Sequence, residues 1–245
     1  MLRLISDAKG LGIAATDGNV GSVEDVYFDD LSWTIRYLVV DTGNWLPGRE
    51  VLISPMAVRG WGDRLLVNLT RAQVEGSPSI DSQQPVNRRY ESEYLRYYGY
   101  PNYWDGPHRW GGSPHPGEAV APASASEETL AAMEGHPNLR SAREVMGYYI
   151  EATDGDIGHV EDFLFDDREW AIRYMIVDTG NWWPGKKVLV SPEWVRRVSW
   201  ADSRVYVDLT TEGVKSAPEY DPSRPLERDY ERRLFSHYHR RNYWE

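Results

Sequence analysis

The sequence predicts a mainly β protein: two small β-barrels in tandem, each followed by a short C-terminal helix. Three observations carry this expectation. A stretch of 40 residues occurs twice, short β-branched and aromatic runs alternate with turn residues, and a Tyr-rich helical pattern closes each copy. Residues 16–55 read TDGNVGSVEDVYFDDLSWTIRYLVVDTGNWLPGREVLISP, and residues 153–192 read TDGDIGHVEDFLFDDREWAIRYMIVDTGNWWPGKKVLVSP. Aligned at a shift of 137 without a gap, 26 of the 40 positions are identical. Most others exchange like for like, as Val20/Ile157, Leu38/Met175 and Arg49/Lys186 do. Self-similarity of this kind marks a tandem duplication.

The elements of each copy follow in order. Asp17-Gly18-Asn19 and Asp154-Gly155-Asp156 are turn chemistry, because Gly supplies positive φ and Asn and Asp tolerate it. Each turn leads into a strand, Val20–Phe28 or Ile157–Phe165, which Asp29-Asp30 or Asp166-Asp167 then breaks. Trp33–Asp41 and Trp170–Asp178 are the clearest strands. Ile35, Tyr37 and Val39 face one way and Arg36, Leu38 and Val40 the other, so the strand is expected to be central and buried on two sides. Residues 43–48, GNWLPG, make an extended hairpin loop before the return strand Val51–Ile53, which Ser54-Pro55 ends. Val58–Trp61 and Arg64–Leu69 form another hairpin, matched by Val195–Trp200 and Arg204–Leu209. Three extra residues in that second hairpin raise the shift to 140 from Thr210 onward. Thr70-Arg71-Ala72-Gln73 has capping-box spacing, of which Thr210 repeats only the cap. About six short strands at close intervals with little helix argue a small barrel. Tyr90, Tyr94, Tyr97 and Tyr98 then share one helical face, repeated by Tyr230, Leu234, His237 and Tyr238. That face is expected to pack on its own barrel.

Both copies end alike, at Asn102-Tyr103-Trp104 and Asn242-Tyr243-Trp244. The domains are therefore residues 1–104 and 138–245. Between them residues 105–137, rich in Pro, Gly, Ala and Ser, read as a flexible or partly extended linker. A short helix over 126–134 is its only expected element.

Composition bounds the function. The chain has 245 residues, 41% hydrophobic and 27% charged, with 11 Trp and 16 Tyr against 4 Phe. It has no cysteine, which removes disulfides, thiol catalysis and thiolate metal sites. The start lacks the apolar core of a signal peptide and no apolar run approaches the ~20 residues of a membrane span, so a cytoplasmic protein is expected. The net charge of −11 is spread along the chain and leaves no basic face, which argues against direct nucleic-acid binding.

Site chemistry is sparse. Asp25, Asp29, Asp30 and their counterparts Asp162, Asp166, Asp167 lack the ligand spacing of a calcium loop, so they read as solvated turn carboxylates. His237 and His239 have no regular partners, so no metal or other cofactor is expected. Ser54 and Ser191 sit in no nucleophile elbow, so no catalytic residue is assigned. Large rings at a hairpin tip are unusual, and exposed Trp is enriched where partners bind. Asn44, Trp45 and Leu46, with Asn181, Trp182 and Trp183, are therefore the candidate partner-binding residues. In the competing reading the same rings fold back to cap the barrel end or to pack barrel on barrel.

The motif shared by both copies is DGxxGxVED, a short acidic turn, the strand Arg36-Tyr37-Leu38-Val39-Val40 (Arg173-Tyr174-Met175-Ile176-Val177), and Ser54-Pro55 (Ser191-Pro192). It resembles the PRC-barrel family, known from the cytoplasmic domain of the photosynthetic reaction centre H subunit and the C-terminal barrel of the ribosome maturation factor RimM. The H subunit carries a transmembrane helix before its barrel, which has no counterpart here. RimM has a different N-terminal barrel, whereas here both halves are one module. The resemblance implies a barrel and does not by itself describe an active site. The expected function is a non-enzymatic interaction or scaffold module. Its two barrels would pack as a pseudo-dimer, form a homo-oligomer, or bind a protein partner bivalently. The H-subunit resemblance implies a second reading, an accessory subunit of a membrane redox or photosynthetic complex that assists electron and proton transfer.

Overall fold

A computed structural model describes residues 1–80, 86–119, 139–180 and 186–245. The first repeat forms β1 (Leu2–Leu4), α1 (Ile5–Ala8), β2 (Gly12–Ala15), β3 (Gly18–Asp29), β4 (Thr34–Asp41), β5 (Glu50–Ile53), β6 (Val58–Trp61), β7 (Arg64–Val67), α2 (Arg71–Glu75) and α3 (Arg88–Tyr98). The second forms β8 (Leu139–Ser141), α4 (Ala142–Val145), β9 (Tyr149–Ala152), β10 (Gly155–Asp166), β11 (Ala171–Asp178), β12 (Lys187–Val190), β13 (Val195–Ser199), β14 (Arg204–Val207), α5 (Thr211–Lys215) and α6 (Arg228–His237). The protein is mainly β with few short helices. The helix expected over 126–134 lies outside the described residues.

The chain divides into two compact units that do not follow the repeats strictly. Unit 1 holds Met1, residues 5–143 and 166–171; unit 2 holds residues 2–4, 144–165 and 172–245. Each unit therefore takes in short pieces of the other repeat.

In unit 1 the strands run β6-β7-β2-β3-β4-β5, with β2 and β7 parallel and the other neighbours antiparallel. β4 sits deep in this order, and Thr34 to Val40 are all buried, as two apolar faces require. The strand begins one residue later than the sequence suggests. Trp33 adopts the left-handed conformation, φ 51°, and belongs to the turn, where its ring stacks on Phe28 at 5.3 Å. The expected closed barrel is not what the hydrogen bonds show. Among the described residues no ladder joins β5 to β6. Pro55 has no N–H, and a 3-10 turn capped by the Ser54 hydroxyl redirects the chain there. Ser191 caps the same turn in unit 2, so both serines have a structural task.

α2 carries the expected capping box, Thr70 with Gln73. α3 starts at the Asn87 cap and stops at Gly99, whose φ of 69° supplies the left-handed C-cap. Its Tyr face packs on its own unit. The buried Tyr94 hydroxyl accepts from Ser54 N and donates to Leu52 O, both at 3.0 Å. Tyr90 donates to Pro78 O at 2.8 Å and Tyr97 to Gln73 O at 2.9 Å. In unit 2, α6 buries Leu234 and Phe235, and Trp194 meets the Phe235 ring at 5.3 Å.

Residues 105–119 differ from the linker that their composition suggests. Trp110 is 0% exposed and lies 6.5 Å from the Tyr103 ring, and its indole N–H donates to Glu169 O at 2.8 Å. One large ring with its polar edge satisfied is enough to fix a Gly- and Pro-rich segment. The remaining linker residues, 120–137, lie outside the described residues.

Two measurements check this account. Gly21 has φ 149°, and an added Cβ would lie 2.1 Å from Asp41 O; Gly158 repeats the approach to Asp178 O at 2.0 Å. Gly21→Ala is expected to cost at least ~2 kcal/mol, a fall in Tm on the order of 10 °C. Gly112→Ala, where nothing lies within 4 Å, should change Tm little. Trp110→Ala should cost roughly 3–5 kcal/mol; a near-neutral result in chemical denaturation would show that 105–119 is not packed.

Candidate interaction surface

The hairpin loop after β4 is built by local polar bonds. Asp41 Oδ1 accepts from Gly43 N at 2.8 Å, an Asx turn that starts the loop. The Thr42 hydroxyl lies 2.8 Å from Leu46 O and 2.7 Å from Arg49 O and ties the loop shut at its base. Gly43 and Gly48, φ 57° and 74°, supply the left-handed corners. Trp45 and Leu46 are half-buried, while Asn44, Pro47 and Gly48 are exposed. The Arg71 guanidinium stands 4.4 Å from the Trp45 ring centroid, a cation–π contact that holds the ring toward α2. Arg49 adds a second tie, donating to Glu75 O at 2.6 Å and to Ser77 O. The Trp45 ring is thus held at one edge and open at another.

Beside it lies an open groove of about 510 Å³, lined by Asn19, Asp41, Asn44, Trp45, Asp63 and Arg64 among others. It offers amide, carboxylate and guanidinium groups around one indole. Such a surface suits recognition of a mixed polar and apolar segment. In unit 2 the loop base is built the same way: Asp178 Oδ1 accepts from Gly180 N at 2.8 Å, and Thr179 Oγ1 donates to Lys186 O at 2.9 Å. Asn181, Trp182 and Trp183 lie outside the described residues.

The acidic turns are corrected by the structure. Asp25 and Asp29 are only 7% and 6% exposed, and Asp162 is as deep as Asp25. They are not solvated carboxylates: Asp25 and Asp29 have backbone and side-chain donors, and Asp162 accepts from Phe163 N at 2.7 Å. Asp29 accepts from Leu31 N at 2.9 Å and Ser32 N at 3.2 Å and faces Arg36 at 3.4 Å. His237 Nε2 lies 2.8 Å from Gly213 O, an ordinary packing bond.

Sequence reading missed a buried cluster of charges and rings in unit 1. The Arg36 guanidinium lies 3.7 Å from the Tyr103 ring centroid and 5.0 Å from that of Trp110, and donates to Arg109 O. Glu91 accepts from the Tyr103 hydroxyl at 2.7 Å and pairs with Arg88 at 3.1 Å. Unit 2 holds a matching set: Glu231 accepts from Tyr174 at 2.8 Å and Tyr243 at 2.9 Å and pairs with Arg228 at 3.0 Å. Burial pushes the Tyr243 phenol up to about 12 and the Tyr103 phenol well above its ordinary value. The signal was present, since an Arg between Ile and Tyr in a two-sided apolar strand needs an internal partner. In unit 1 Arg36, Glu91 and Tyr103 of this cluster are all buried.

The PRC-barrel domain family matches residues 2–74 and again residues 137–214. The chain belongs to that family, as a tandem of two such domains. A protein of Deinococcus radiodurans, described as uncharacterized, is 41% identical over 85 residues, 34% of this chain and 30% of that protein. The chain thus spans less than a third of that relative. Among the described residues no helix is long and apolar enough to cross a membrane.

Burial raises the Glu91 carboxyl above its ordinary value, against the opposing effect of Arg88 and Tyr103. A raised carboxylate contributes stability at low pH and loses it as pH rises through the folded value. The stability difference between wild type and Glu91→Gln is therefore expected to shrink as pH rises above about 4.5, the ordinary glutamate value. Denaturant titrations of both proteins across pH 4–8 read it directly; a constant difference would remove the assignment.

Proposed function

We propose that this protein is a non-enzymatic interaction or scaffold module whose two PRC-barrel domains bind a protein partner through their Gly-Asn-Trp loops. The observation that carries this reading is the Trp45 ring, held in place by Arg71 and by the latched loop yet half open beside a polar groove. An aromatic anchor that is already ordered loses little entropy on binding. The surrounding Asn, Asp and Arg side chains supply a polar rim. The second repeat carries a near-identical loop sequence, GNWWPG for GNWLPG, and two linked sites raise the effective concentration for a bivalent partner. The loop is favoured over the buried cluster of unit 1 because Asn44 is exposed and Trp45 half-buried, whereas Arg36, Glu91 and Tyr103 are buried. The reading as a subunit of a membrane redox complex rests on the family resemblance alone.

The test is affinity capture from the native host followed by mass spectrometry, then titration of the captured partner. Trp45→Ala is expected to weaken binding about 30-fold, the size of a central aromatic anchor. Trp45→Ala/Trp182→Ala/Trp183→Ala should abolish capture while the melting curve stays cooperative. A partner held equally well by wild type and triple variant would refute the loop assignment.

A further inference from the structure

The long strand of each unit outruns its hairpin partner. β3 has 12 residues and β2 only four, so β2 reaches no further along β3 than Gly18–Ser22. β4 covers the opposite edge as far as Asp29. Tyr27, Phe28 and Asp29 lie beyond the reach of β2, on an edge where another strand can pair.

In unit 1 that edge is filled by β8, the three residues that open repeat two. The strands are antiparallel, with Tyr27 opposite Ser141, Phe28 opposite Arg140 and Asp29 opposite Leu139. Side chains fix the register. Ser141 Oγ donates to Asp25 Oδ2 at 2.6 Å, and Arg140 Nε to Asp30 Oδ2 at 2.9 Å. Arg143 donates to Glu24 at 2.7 Å, and its backbone N–H to Asp25 Oδ1 at 3.3 Å. The acidic residues along β3 therefore receive the basic strand that arrives beside it.

Unit 2 holds the reciprocal arrangement. β9 has four residues and pairs β10 only from Gly155 to His159, while β1, which opens repeat one, also pairs β10. Both donated strands begin Leu-Arg, at Leu2-Arg3 and Leu139-Arg140. Each repeat thus gives its first strand away.

We propose that the stretches of β3 and β10 beyond β2 and β9 are strand-acceptor sites whose ligand is the Leu-Arg strand opening the sister repeat. Neither repeat completes its sheet alone, so the duplication is an obligate exchange rather than two independent domains on a string. The exchange holds the halves together without the connecting stretch 120–138. This proposal does not depend on the loop reading.

The test inserts a protease site within 120–138 of the full chain, cuts it, and follows the halves by size exclusion with light scattering. The cut wild type is expected to migrate as one particle with the mass of the intact chain. Arg140→Glu/Arg143→Glu sets like charges against Glu24, Asp25 and Asp30 and is expected to weaken association of the cut halves at least 100-fold. Circular dichroism of the uncut variant verifies its fold. In a separate arm, Arg143→Glu alone weakens association, and Glu24→Arg added to it restores binding, because those two side chains are both partly exposed. Separation of the cut wild-type halves overturns the proposal. So does a charge-reversed pair that associates as tightly as wild type, or a charge swap that restores nothing.

Discussion

A guanidinium buried in the most enclosed strand governs what surrounds it in unit 1. Arg36 stands in β4 with every neighbour from Thr34 to Val40 out of water. A charge in that position costs several kcal/mol unless hydrogen bonds and counter-charges compensate for its lost hydration. The compensation is drawn from separate parts of the chain: the Asp29 turn, the Tyr103 ring, and the backbone of Arg109 next to Trp110. The closing helix joins through Glu91, which binds the Tyr103 hydroxyl and Arg88. The acidic turn, the helix, the tail and the first part of the connecting segment are thereby organised around one side chain.

The same need is met by equivalent residues in both repeats. Arg36 and Arg173, Glu91 and Glu231, and Tyr103 and Tyr243 occupy equivalent places, and each unit uses them in a ring-and-charge cluster. Ser54 and Ser191 cap equivalent turns. The clusters are not equally enclosed: the Arg88 side chain is 10% exposed and Arg228 is 48% exposed.

The long strands supply the second constraint. A 12-residue strand beside a four-residue partner leaves backbone groups that water or another strand must satisfy. Unit 1 uses a strand from repeat two, and the carboxylates that the sequence seemed to leave in solvent become its docking groups. Asp25 is buried because the arriving strand covers it.

Much was legible from the residues. The duplication, the succession of strands along the chain, the Thr70–Gln73 capping box and the Tyr face of α3 are local patterns, set by neighbours in sequence and by the 2.0 and 3.6 periods of strand and helix. The loop bearing Trp45 was legible for the same reason, though the Arg71 contact across to α2 was not. The packed Trp110 and the burial of Asp25 and Asp29 were decided by tertiary structure. Each depends on groups that meet only after the chain has folded, such as Arg36 with Arg109, 73 residues apart, and Asp25 with Ser141, 116 apart. Local periodicity says which residues face inward; it cannot say which distant donor or strand will satisfy them.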